Sequence, residues 1–166
     1  MKKMLTSLCA IMMIAPTAVA AQAPEQPTAT TIAPTATAQG VVRIRSRYGI
    51  DETVRRLKAD IAGKGIRFFT EIDQSQLGAG ADIAIRPSRL ILFGNPPLGV
   101  QFLTSNPYSG LDWPVRMLIL EEADGSVSVA WTEFGYIANR YGIKDRDAQF
   151  AMANAVAMSI ASSVTR

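Results

Sequence analysis

Asn95, Asp112 and Arg116 are the residues of this 166-residue chain whose types and spacing could hold a polar ligand. They offer an amide that both donates and accepts, a carboxylate that accepts, and a guanidinium that donates through a planar fork. Asn95 sits in the run Gly94-Asn95-Pro96 and Asp112 in Gly110-Leu111-Asp112-Trp113-Pro114, with Arg116 close behind. Gathered round one cleft, the three make a candidate ligand-binding site. The same residues have a structural use: Asn95 can cap a helix, the glycines and prolines shape turns, and Asp112 can pair with Arg116 to hold its loop. Tyr108, Trp113 and Trp131 divide the same way, between lining a pocket and packing the core or its rim. A catalytic alternative would set Asp73 beside Asp112 as a carboxylate acid-base pair, since both stand next to strand ends, but no spacing in the sequence brings them together.

What the chain lacks narrows the chemistry further. It contains no histidine and one cysteine, Cys9. Without imidazole there is no Ser-His-Asp or Cys-His constellation and no supply of the commonest zinc, copper and haem ligand. No cofactor and no metal are expected, and no catalytic residue is assigned. An enzyme built on this residue set is confined to carboxylates, lysine or tyrosine.

These candidates must be positioned by a fold, and the apolar spacing describes one. Val41 to Arg47 alternates, with Val42 and Ile44 on one face and Arg43, Arg45 and Arg47 on the other, the pattern of a half-buried strand. Asp51 is placed to cap a helix carrying Val54, Leu57 and Ile61, closed by Gly63 and Gly65. Ile66 to Ile72 alternates again, with Ile66, Phe68 and Ile72 on one face. The glycine-rich stretch Leu77 to Ala81 reads as a flexible connection rather than a phosphate cradle, because no strand-to-helix turn surrounds it. Ile83–Ile85 and Leu90–Phe93 read as two strands joined at Pro87-Ser88.

Asn95 and Pro96 suit the cap and first turn of a short helix with Leu98 and Phe102 on its apolar side, ended by Pro107. The Asp124-Gly125 turn joins Val115–Leu120 to Val127–Trp131 as a hairpin. Thr132 is placed to cap a helix with Phe134, Ile137, Ala138 and Tyr141, stopped by Gly142. Asp145 opens a last helix whose Phe150, Ala153, Ala157, Ile160 and Val164 share one face. Strands and helices do not alternate regularly, so the expected class is α+β: a single two-layer domain, with a mixed or antiparallel sheet and helices mainly on one face.

Residues 1–20 have the order of a secretory signal peptide: Lys2 and Lys3, an apolar stretch too short to span a bilayer, then small residues, with cleavage after Ala20 and a second site as far as Ala23. Residues 21–40, rich in Ala, Thr and Pro, read as a disordered tether, and residues 41–166 as the domain. The expected location is therefore the periplasm, or beyond the cell if secreted, with no stable membrane anchor. Cleavage would remove Cys9, Lys2 and Lys3. Of 17 basic residues 15 would remain against 14 acidic ones, too even a balance to suggest a nucleic-acid partner. The partners to be considered are a small polar ligand and a second copy of the chain docked through the alanine-rich C-terminal helix.

Four phrases carry a family resemblance: Thr53-Val54-Arg55-Arg56-Leu57-Lys58, Lys64-Gly65-Ile66-Arg67-Phe68-Phe69, Arg86-Pro87 through Leu92-Phe93-Gly94-Asn95-Pro96, and Gly110-Leu111-Asp112-Trp113-Pro114. Together they resemble the bacterial "domain of unknown function 302" family over nearly all of Val41 to Val164. The resemblance implies a small single α+β domain and brings no activity with it. Members often resemble Ile-Asp-His after the second strand, where this chain has Ile72-Asp73-Gln74, so any role of that histidine is absent here. The function expected is an exported, non-catalytic module binding a small ligand or a protein partner; the alternative is a small histidine-independent enzyme.

Overall fold

A computed structural model describes Pro34 and residues 36–165; the expected signal peptide and most of the expected tether lie outside the described residues. Five strands form one antiparallel sheet in the order β1-β5-β4-β3-β2. They are β1 (Val41–Arg45), β2 (Arg67–Asp73), β3 (Ser88–Gly94), β4 (Val115–Glu121) and β5 (Val127–Thr132). The helices are α1 (Ile50–Gly63), α2 (Gln74–Ala79), α3 (Pro96–Ser105), α4 (Phe134–Tyr141) and α5 (Asp147–Ser162), with a 3-10 turn over Pro107–Asp112. This is the expected α+β class.

The core lies between one sheet face and the helices. Val42, Ile91, Phe93, Met117, Ile119, Val129 and Trp131 point inward from the strands and meet Leu57 and Ile61 of α1, Phe102 of α3, Ile137 of α4, and Phe150, Ala157 and Ile160 of α5. The face of α5 read from the sequence is thus buried within its own domain. Alternation along β4 puts Met117 and Ile119 inside, while the Asp-Gly hairpin places Glu121 opposite Val127 with Gly125 at positive φ.

Several local expectations are corrected. Ile83–Ile85 is not a strand. The chain instead winds into α2 through the start of the expected glycine-rich connection, because Asp73 Oδ1 accepts the N–H of Gln76 and caps it. Gly78 then lets the chain fold back: a methyl there would lie 2.7 Å from the Ile83 carbonyl oxygen.

The cap of α1 is Gly49 rather than Asp51, which lies one residue inside the helix, and α4 is capped by Glu133 rather than Thr132, which ends β5. The last helix starts at Asp147, two residues after Asp145, whose carboxylate pairs with Arg146. β1 ends at Arg45, short of Arg47.

β2 carries the largest departure. A bulge between Phe68 and Thr70 shifts the alternation by one residue. Phe68, Glu71 and Asp73 therefore share the helix-facing side, opposite Phe93, Ile91 and Arg89, whereas Ile72 turns to the outer face. A slip of one residue exchanges the two faces of a strand, so the expected grouping of Phe68 with Ile72 fails.

Candidate functional site

The sheet brings Asp112 and Arg116 together and leaves Asn95 elsewhere. Asp112 ends the 3-10 turn before β4, and its side chain is 6% exposed. It pairs with Arg116 four residues on, accepts the hydroxyl of Tyr141 at 2.7 Å, and accepts Nη1 of Arg140 at 3.2 Å. The hydrogen bond to this carboxylate holds the Tyr141 phenol above its ordinary pKa, because losing the proton would break the bond and place two negative charges together. Arg116 also donates to the carbonyl of Leu111 at 2.8 Å, tying the loop to β4.

Next to Asp112 and Arg116 the free space is about 10 Å³, lined otherwise by Val115, Thr132, Phe134 and Ile137. That is room for no more than a water molecule. Engaged by three donors, Asp112 acts as a clamp joining the 3-10 turn, β4 and α4.

The carboxylate pair is ruled out by register. Asp73 lies opposite Arg89 at the start of β3, and Val115, three residues after Asp112, lies opposite Phe93 near its end. Four residues of strand separate these points, about 13 Å. Asp73 belongs to a different cluster. Arg89 reaches Glu71 at 3.1 Å and Asp51 at 3.4 Å; its Nε is 3.3 Å from Asp73 without being aligned for a hydrogen bond, and Glu71 also receives Lys58 at 3.1 Å. Hydrogen bonds from the Ser75 hydroxyl and the Gln76 N–H, assisted by Arg89, hold Asp73 below the usual carboxylate range. This cluster joins α1 to β2 and β3, with Arg89 Nε left buried without a hydrogen-bond partner.

Asn95 faces a different space. It is the cap residue of α3 by position, but its side chain makes no capping hydrogen bond. It lines an apolar cavity of about 320 Å³ between the sheet end and the helices. Phe93 and Val115 supply the sheet wall, Leu98 and Trp113 one side, Phe134 and the α5 residues Ala153, Val156 and Ala157 the other. Lys64 and Asn95, both exposed, are the polar side chains in the lining and mark its mouth.

The Trp113 wall is held by two glycines: a methyl on Gly94 would meet the indole at 2.6 Å, and one on Gly99 at 2.0 Å. Phe102 meets the same ring edge-on at 6.4 Å between centroids. Trp113 therefore lines a pocket, whereas Trp131 is core and Tyr108 is largely exposed. A shallower depression adjoins the cavity across Asn95, Leu98 and Met152 and continues over Gln101 and Gln149 between α3 and α5.

A larger depression of about 540 Å³, lined by Arg43, Arg45, Glu122 and Asp124, is wide open to solvent, and Arg43 is already paired with Glu122 at 3.2 Å. Ligand sites are usually concave and mostly apolar, with few convergent polar groups. The 320 Å³ cavity has that character. Sequence reasoning found Asn95 and considered Trp113, but it missed Lys64, Phe134 and the α5 residues, which lie far apart along the chain. One signal was present: three of the four family-like phrases contribute to this one cavity, through Lys64 and Ile66, through Phe93, Gly94 and Asn95, and through Trp113.

Comparison with known proteins agrees with the fold. Over 104 residues the chain is 31% identical to the "Fluoride-specific ion channel FluC 1" of Brucella suis biovar 1 (strain 1330) and to that of Brucella abortus biovar 1 (strain 9-941). The match takes in 63% of this chain but 41% and 38% of those proteins, so the chain spans well under half of the curated relatives it matches. A crystal structure of an uncharacterized conserved DUF302 protein from Bacillus stearothermophilus superimposes with a TM-score of 0.70 at 13% identity, covering 75% of this chain and 98% of that one. The family model described as "Domain of unknown function DUF302" matches residues 42–160, and the chain belongs to that family.

Proposed function

We propose that the domain is an exported, non-catalytic binding module, and that its ligand is a small, largely apolar molecule taken up in the cavity beside Trp113. The observation that carries this reading is the composition of that cavity: about 320 Å³ of space walled by Ile66, Phe93, Leu98, Trp113, Val115, Phe134 and α5. An apolar surface kept from close packing forgoes dispersion contacts and hydrophobic stabilisation, both of which an apolar guest restores. The charged clusters support the non-catalytic part. Asp112 and Asp73 are each engaged by their own donors at opposite ends of β3.

Export rests on the order of residues in the first 20 positions, and it places the ligand outside the cytoplasm. Fluoride conduction is not carried over from the Brucella relatives. The match takes in 41% and 38% of those proteins, so the activity of the whole channels does not come with it. The stretch shared with those channels is read as an accessory part of them.

The test uses the purified full chain and the uncharged dye N-phenyl-1-naphthylamine, whose fluorescence rises in apolar surroundings. Saturable one-site binding is expected, lost in both Ala153→Leu and Val156→Phe, each of which grows a side chain into the cavity. No saturable binding by a folded wild-type chain, or binding untouched by both variants, overturns the reading.

A further inference from the structure

We infer that the cavity selects an amphiphile with an apolar tail and an anionic head, a carboxylate being the simplest case, with Lys64 and Asn95 receiving the head. This inference rests on the cavity reading above and adds the chemistry of the ligand. Among the described residues of the lining Lys64 is the only charged one, and it is exposed together with Asn95, while the other side chains are apolar. A tail buried below Trp113 leaves its polar end at the mouth, where an ammonium and an amide N–H₂ are both donors. A cationic head would meet Lys64 with like charge.

Lys64 is paired with Asp60 one turn back on α1, and both side chains remain partly exposed. Such an i,i+4 pair in contact with solvent is weak. Lys64 can therefore exchange this carboxylate for the ligand's at little penalty, the more so because the new pair is shielded by the tail and the cavity rim. Asn95 needs no release, since its side chain makes no capping hydrogen bond to α3. The positive end of α3 contributes little directly: Pro96 and Pro97 lack N–H groups, and the N–H groups of Leu98 and Gly99 are taken by the Asn95 carbonyl.

The depression beyond Asn95 and Met152, lined by Gln101 and Gln149, is uncharged, and Gln149 donates to Gln101 at 3.1 Å. It offers the head no competing cation. The charge selectivity is thus assigned to Lys64 alone.

Displacement of N-phenyl-1-naphthylamine by octanoate, octanol and octylammonium tests this on the full chain. Octanoate is expected to displace the dye at a concentration at least tenfold lower than octanol, and octylammonium to be the weakest. In Lys64→Met, with its fold checked by circular dichroism and its dye affinity measured separately, the octanoate advantage over octanol should fall to within twofold. Asp60→Asn, which frees Lys64, should strengthen octanoate. Equal displacement by octanoate and octanol in the wild-type chain overturns the head-group assignment while leaving the apolar cavity standing. So does an octanoate preference that survives Lys64→Met. Failure of the dye to bind at all defeats the cavity reading instead.

Discussion

The indole of Trp113 rests against the backbone of Gly99, so closely that a methyl group on that glycine would sit 2.0 Å from two ring carbons. Gly94 closes on the same ring from the end of β3. The missing side chains at these two positions form the slot that holds one wall of the cavity.

Gly99→Ala tests that slot, because two effects oppose each other. Alanine is the better helix former by about 1 kcal/mol, whereas forcing a methyl into a filled site costs about 1–3 kcal/mol. Since the ring is also bounded by Gly94 and Phe102, we expect net destabilisation, seen as a lower urea midpoint and an altered tryptophan emission. A variant as stable as the parent would mean that the indole is not held as described.

Asp112→Ala should be more damaging than Arg116→Ala. Removing the buried carboxylate takes the acceptor from the Tyr141 hydroxyl and breaks both guanidinium pairs at once, at a cost of about 1–3 kcal/mol. Arg116 is 46% exposed, and its loss leaves Arg140 and Tyr141 on Asp112, so it should cost less than about 1 kcal/mol. Urea unfolding of both variants decides the order. The reverse ranking would show that Asp112 is not the centre of the clamp.

Glu133 gives the stability a pH dependence. Burial pushes its carboxyl upward, but the N–H groups of Gly135 and Tyr136 and the Asn154 amide outweigh this and hold it below its ordinary value of 4.5. A carboxylate depressed in the folded state contributes stability that is complete above the unfolded value and is lost as the pH falls through the folded one. Glu133→Gln should therefore lower the melting temperature at pH 7, by a margin that narrows as the pH falls from 4.5 toward 3. Parallel melting curves for variant and parent across that range would contradict it.

Arg89→Met should show the same direction of trend with acid, for a different reason. Arg89 lies among Asp51, Glu71 and Asp73 on the helix side of β2 and β3. Without it these carboxylates face one another with Lys58 as the remaining cation, which penalises their charged forms. The variant should be least stable relative to the parent near pH 7 and recover as the pH falls toward 4, measured by thermal unfolding. A deficit that does not change with pH would point to packing by the arginine stem rather than its charge.

Much of the scaffold was legible because its signals are local. The alternation of Val127 to Trp131, the Asp124-Gly125 turn, the spacing of Val54, Leu57 and Ile61, and Gly142 as a helix stop each follow from neighbours within a few residues. Failures came where two local signals competed. Asp51 and Thr132 are good caps by type, yet Gly49 and Glu133 took those roles because strand ends and core contacts decide where a helix begins. The bulge in β2 left no clear mark in the residue types, so the inward position of Glu71 and Asp73 could not be read from alternation.

By itself the sequence determined the α+β class, the family, and a residue set without histidine, because composition and short-range periodicity are properties of the chain alone. The tertiary structure decided what the polar residues are for. Asp112 and Arg116 are four residues apart, and only the arrival of Arg140 and Tyr141 from α4 makes them a closed clamp. Asn95 lines the cavity that α3 and α5 enclose, whereas Asp112 and Arg116 line a separate small space; Val115 and Phe134 border both. A cavity is the space left between elements distant in sequence, from Lys64 to Ala157, and its walls exist only once those elements have packed.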